Sequence, residues 1–155
     1  MILTWYKCRG RVTRPFLQGV GDFKRKVTDG TMRTILLSIK PEYVEKIFNG
    51  TKQYEYRKTK CKEKVEKIII YSTAPVMQVV GEAEVEAIVE DLPEKVWEKT
   101  KDYSGTTYEF FCEYYKQKNK AVAYKLKNIK RYEETKSLKS FGIEVAPQSF
   151  VYVEK

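Results

Sequence analysis

The chain has 155 residues, a net charge of +9 and no histidine, which bounds it to about one core-forming domain and excludes His triads, His-ligated zinc and imidazole acid–base chemistry. Three cysteines, Cys8, Cys61 and Cys112, cannot all pair and show no CxxC spacing, so they read as reduced thiols, and no metal or cofactor is called for. No apolar run reaches the roughly eighteen residues of a membrane span, and Arg9, Arg11 and Arg14 interrupt any signal-peptide core, so a cytoplasmic protein without a membrane partner is expected.

The charge is unevenly spread. Residues 1–33 hold eight Lys/Arg and two Asp, so six of the nine net charges lie there and the other 122 residues are modestly basic. This segment mixes basic residues with aromatics and glycines but shows no sustained periodicity, which predicts an N-terminal extension, disordered or loosely packed, ahead of a domain over residues 34–155. As a basic arm it would offer sequence-independent phosphate contacts through Arg9, Arg11, Arg14, Lys24, Arg25 and Lys26.

Within the domain, residues 34–40 (TILLSIK) read as a buried strand and 41–49 (PEYVEKIFN) as a helix. Pro41 sits in its first turn, Tyr43, Val44, Ile47 and Phe48 share one face, and Asn49-Gly50 closes it. Residues 53–58 resume as a strand with Gln53, Glu55 and Arg57 on one side and Tyr54 and Tyr56 on the other. Strands are predicted over 65–72 and 78–90, separated by Ala74-Pro75, then a helix over 92–100 with Asp91 as cap. A second aromatic helix is predicted over 106–118, its Phe110, Phe111, Tyr114 and Tyr115 forming a core-packing face. Residues 121–131 read as an alternating strand with a slip at Asn128, and short strands are expected over 138–144 and 150–154. Several strands with two or three inserted helices and no βαβ alternation predict an α+β, mainly β domain built on a small barrel.

Residues 50–57 (GTKQYEYR) carry the one place where charge looks placed. Gly50, Lys52, Glu55 and Arg57 match the GxKxxExR signature of the ASCH domain, a PUA-like family, and this chain resembles its small prokaryotic members. Residues 36–50 (LLSIKPEYVEKIFNG) before the motif, 68–86 (IIIYSTAPVMQVVGEAEVE) after it and 146–150 (APQSF) near the end extend the resemblance over about residues 34–153. It implies a PUA-like small β-barrel with two or three peripheral helices and a ligand cleft between barrel and first helix. Lys52, Glu55 and Arg57 would line that cleft beside Gly50, with Lys40, Tyr71, Ser72 and Gln148 as walls.

From the groups themselves, Lys52 and Arg57 attract phosphate, Arg57 in a forked geometry. Glu55 accepts from an exocyclic amino group or orients the arginine, and Tyr71 would stack on a splayed base. A bare surface ion pair between Glu55 and Arg57 is the plainer alternative. The resemblance implies a nucleic-acid-binding, RNA-directed module with a regulatory role in translation or transcription, its partner RNA or a nucleoside or nucleotide. The alternative is a hydrolase acting on RNA or on acylated cytidine-type nucleosides, with Lys52 and Glu55 as catalytic candidates. Here the chain departs from the amidohydrolase-like members, which carry a threonine where Glu55 stands; Thr51, Ser72 or Thr73 would have to supply the hydroxyl.

Overall fold

The computed structural model describes residues 31–154. The predicted N-terminal extension lies almost wholly outside the described residues. Six strands, β1 (Arg33–Ile39), β2 (Tyr54–Arg57), β3 (Val65–Ser72), β4 (Gln78–Asp91), β5 (Ala121–Lys136) and β6 (Phe150–Val153), form one mixed sheet in the order β2-β5-β4-β3-β1-β6. Three helices, α1 (Pro41–Phe48), α2 (Pro93–Thr100) and α3 (Tyr108–Tyr114), pack on it. The α+β, mainly β expectation holds.

Two features differ from the sequence expectation. β1 and β3 pair in parallel, Leu36 opposite Ile69 and Leu37 opposite Ile70, with α1 and β2 in the connection between them, so the sheet is mixed. The barrel does not close, because the order runs from β2 at one edge to β6 at the other and no ladder joins those two strands.

The strands form where β-branched and apolar residues cluster, and alternation sorts β1 between two cores. Ile35, Leu37 and Ile39 pack with Val44 and Ile47 of α1 and with Ile68, Ile70, Val122 and Tyr124, filling the inside of the curled sheet. Leu36 points the other way, to Ile69, Tyr71, Val79 and Ile143. A third cluster of Tyr56, Val96, Phe111, Tyr115, Ala121 and Ala123 seats α2 and α3 beyond β2 and β5.

Local boundaries follow the turn chemistry. Pro41 and Pro93 stand in the first turns of α1 and α2 as predicted, but Asp91 is not the cap of α2: it ends β4 opposite Ala121, and Leu92 occupies the N-cap position without a side-chain bond. α3 is shorter than the 106–118 expectation, since Thr107 caps it by accepting from the Phe110 N–H and Gln117 turns left-handed at φ 62 just past its end. β5 runs on to Lys136, and the predicted slip is real, with Asn128 at φ 48 and β4 breaking register opposite it. Residues 138–144 are not a strand. Leu138–Phe141 winds as a 3-10 turn closed by Gly142 at φ 70, whose left-handed conformation brings the Ile143 N–H back to the Leu138 carbonyl.

Candidate functional site

The motif residues meet at the open seam of the sheet. Gly50, at φ 83, lets the chain leave α1 and drop straight into β2, and Thr51 caps the turn with its N–H on Asn49 Oδ1 at 3.0 Å. β2 then lays Glu55 opposite Tyr124 and Arg57 opposite Val122, so both charged side chains point to the inner, otherwise apolar face. Ion pairs buried there must satisfy their own hydrogen bonds.

They largely do. Lys52, Glu55 and Arg57 are 3%, 7% and 8% exposed. Glu55 Oε1 accepts from Arg57 Nη2 at 3.0 Å, and its Oε2 stands 3.8 Å from Lys52 Nζ. Lys52 Nζ donates to the Ser104 carbonyl at 2.9 Å and lies over the rings of Tyr56 and Tyr43, 4.8 and 5.3 Å from their centroids. Arg57 Nη2 also donates to the Ser38 carbonyl at 3.0 Å, and Nη1 reaches the Ser149 carbonyl at 3.5 Å. The guanidinium therefore spans from β2 to β1 and to the entry of β6, across the gap that backbone pairing leaves. Its Nε is buried without a partner.

Burial pushes the Lys52 ammonium below the ordinary lysine range; Glu55 opposes the shift, while Arg57 and Lys46 add to it. Burial likewise pushes the Tyr56 phenol up to about 12, against its hydrogen bond with Thr100.

A cleft of about 260 Å³ opens over this network. Lys52, Glu55 and Arg57 form its floor, Tyr43, Phe110 and Tyr114 supply aromatic walls, and Lys40 and Gln148 stand at its margin. Five of the eight predicted site residues thus converge. Gly50 acts through the turn and does not line the cleft. Tyr71 is 3% exposed and packs with Leu36, Ile69 and Val79, and Ser72 is buried beside it at the end of β3, so neither reaches the cleft. For Tyr71 the reason is register: it shares the face of Ile69, which lies opposite to that of Ile68 and Ile70.

Sequence reasoning missed the opposite wall. The loop 101–107 is stitched to the motif by the Lys52–Ser104 bridge, by the Gln53 N–H on the Tyr103 carbonyl and by Lys46 Nζ on the Gly105 carbonyl at 2.9 Å. Ser104-Gly105 signals the turn in the sequence, but nothing there says what it touches. The aromatics of α3, expected to form one core face, are divided: Phe111 and Tyr115 are buried, whereas Phe110 is 44% exposed and Tyr114 borders the cleft. Among the described residues, no group of three or more Cys, Asp or Glu is placed to hold a metal ion, and no helix is long and apolar enough to cross a membrane.

A family model described as a domain of unknown function, DUF365, matches residues 32–152. The fold is similar to the crystal structure of ASCH from Zymomonas mobilis, with a TM-score of 0.73 and 25% identity over 79% of this chain and 89% of that one. The chain belongs to the DUF365 family and carries an ASCH domain. Among curated proteins this DUF365 chain is similar to the ATP synthase subunit alpha of Ureaplasma parvum serovar 3, 29% identical over 129 residues, 83% of this chain and 16% of that protein. It is also similar to the large ribosomal subunit protein uL22 of the same organism, 28% identical over 125 residues, 80% of this chain and 40% of that protein. It spans less than half the length of either relative.

Proposed function

We propose that this ASCH domain binds single-stranded RNA by taking one base into the cleft between α1 and β2, and that it acts as a cytoplasmic regulatory module in translation or transcription. The observation that carries the reading is the Glu55 carboxylate, a buried acceptor held between Lys52 and Arg57 at the floor of an aromatic-walled cleft. A carboxylate there suits an exocyclic amino group, the aromatic faces suit a splayed base, and the cations suit the flanking phosphate. The ASCH-type fold supports the same class of partner. The two curated relatives bear the names of unrelated assemblies, so what they share with this chain points to a domain and not to one activity.

The test is fluorescence anisotropy of labelled single-stranded RNA across a salt series, for the full chain, Glu55→Gln and the margin double variant Lys40→Ala/Gln148→Ala. The reading expects several-fold weaker binding in both variants at unchanged melting temperature for the margin pair. Binding that both variants leave intact would remove the cleft as the site.

A second reading has its own observation. Lys52 is desolvated, shifted toward its neutral form and 3.8 Å from Glu55, the setting in which a lysine serves as general base in hydrolysis of RNA or of an acylated cytidine-type nucleoside. Thr51, Ser72 and Thr73 do not line the cleft; Ser38 and Thr106 supply the aliphatic hydroxyls of its lining, and that of Ser38 donates to the Pro147 carbonyl at 2.6 Å. Release of acetate from N4-acetylcytidine, lost in Lys52→Met, would support it; no turnover under conditions where RNA binds would set it aside.

A further inference from the structure

A second depression of about 580 Å³ lies on the far side of the cleft's outer wall. Tyr43, Thr106 and Phe110 border both spaces, so they form a partition: the Tyr43 ring leaves α1, meets Phe110 of α3 at 6.0 Å between centroids, and its hydroxyl faces the Thr106 side chain. The outer basin is shallow and mixed in charge. Lys46 and Lys101 contribute cations, Glu42 and Asp102 carboxylates.

The inner cleft, at about 260 Å³, falls below the roughly 300–1,000 Å³ usual for a site enclosing a whole small ligand. It has room for about one nucleoside, and a neighbouring nucleotide would lie outside it. The partition offers an aromatic face to each side, and Phe110 is solvent-accessible next to the buried Phe111 of the same helix. Lys101 stands at the basin, paired with the exposed Glu98 at 2.8 Å and drawn by the neighbouring Asp102, and a phosphate can displace such an exposed pairing at small cost.

We infer that the outer basin receives the nucleotide adjoining the one whose base enters the inner cleft, so that the ligand is a strand of at least two nucleotides straddling the Tyr43–Thr106–Phe110 partition. The inference rests on the proposed nucleic-acid reading and makes it more specific: a strand, not a free nucleoside, is the ligand. Phe110 stacks on the outer base and Lys101 meets the phosphate between the two.

The experiment is competition against a labelled single-stranded hexaribonucleotide at 150 mM salt, using the full chain, Phe110→Ala and Lys101→Glu, with unlabelled mononucleotides and dinucleotides as competitors. Melting temperatures of both variants guard against unfolding, since both side chains are surface-accessible. The expected result is that dinucleotides compete at least tenfold more tightly than mononucleotides, that Phe110→Ala weakens hexanucleotide binding about tenfold, as loss of a stacking platform does, and that Lys101→Glu weakens the hexanucleotide but not the mononucleotide. Equal competition by mono- and dinucleotides with both variants at wild-type affinity overturns the outer subsite while leaving the inner cleft in place. Hexanucleotide binding that neither variant alters, with no competition by mononucleotides, locates binding elsewhere on the chain and overturns both readings.

Discussion

Arg57 of β2 donates to the carbonyl of Ser38 in β1 at 3.0 Å, joining by a side chain two parts of the sheet that no backbone ladder joins. The same guanidinium holds Glu55 at 3.0 Å, so the residue that spans the seam also fixes the acceptor at the floor of the cleft.

Removing that bridge has two consequences. Arg57→Ala leaves the Glu55 carboxylate buried beside Lys52 alone and frees the seam, and loss of one partner of a buried pair destabilises by about 3–5 kcal/mol. Urea unfolding is expected to show that loss. The companion Lys52→Met/Glu55→Gln/Arg57→Met removes all three buried charges and should recover a substantial part of it. Recovery of nothing would mean that the seam contacts to Ser38 and Ser149, not charge pairing, dominate.

Gly105 faces a different constraint. It sits at φ 66, and a Cβ there would lie 2.6 Å from Lys52 Cβ, whereas Gly142 sits at φ 70 with open space around it. Gly142→Ala should cost only the left-handed backbone term of about 1–2 kcal/mol. Gly105→Ala should cost roughly a further 1–3 kcal/mol for the forced contact and should displace the lysine from the Ser104 carbonyl. Equal losses in thermal unfolding for the two variants would contradict the packing found at Lys52.

The pH dependence separates Lys52 from the tyrosines. Its folded pKa lies below that of the unfolded chain, so between the two values the unfolded state binds more protons and stability rises with pH through that window. Tyr56 has the opposite sign. Its folded pKa is raised to about 12, so its contribution is present below pH 10 and is lost as the pH climbs from 10 toward 12. Comparing urea midpoints of the wild type and Lys52→Met from pH 7 to 10 isolates the lysine, and the wild type should gain on the variant as pH rises. A constant difference would mean that Lys52 titrates normally.

Behind the motif, the Tyr115 hydroxyl lies 3.0 Å from the Arg57 carbonyl and 3.1 Å from the Val122 carbonyl, tying α3 to β2 and β5. Tyr115→Phe keeps the ring packed against Phe111 but removes the one O–H proton that the two buried carbonyls share, a loss of about 1–3 kcal/mol. Hydrogen exchange should quicken first at the edge of β2. Unchanged exchange there would show that α3 does not hold the edge strand.

Local chemistry determined the parts of this protein that the sequence discloses by itself. Apolar β-branched runs marked β1 and β3, period-two alternation marked β2, β4 and the first part of β5, Pro41 and Pro93 marked helix starts, Asn128 marked the register slip, and the motif spacing put Glu55 and Arg57 on one face of one strand. Each is decided by neighbours within a few residues. Tertiary structure alone decided the rest: that Arg57 spans the open seam, that the loop around Ser104 and Gly105 walls Lys52, that Phe110 faces out while Phe111 faces in, and that Tyr71 packs in a core away from the cleft. Those outcomes depend on which strand lies beside which and on the handedness of the sheet's curl, and contacts between residues 19 to 92 positions apart leave no periodic trace in the chain.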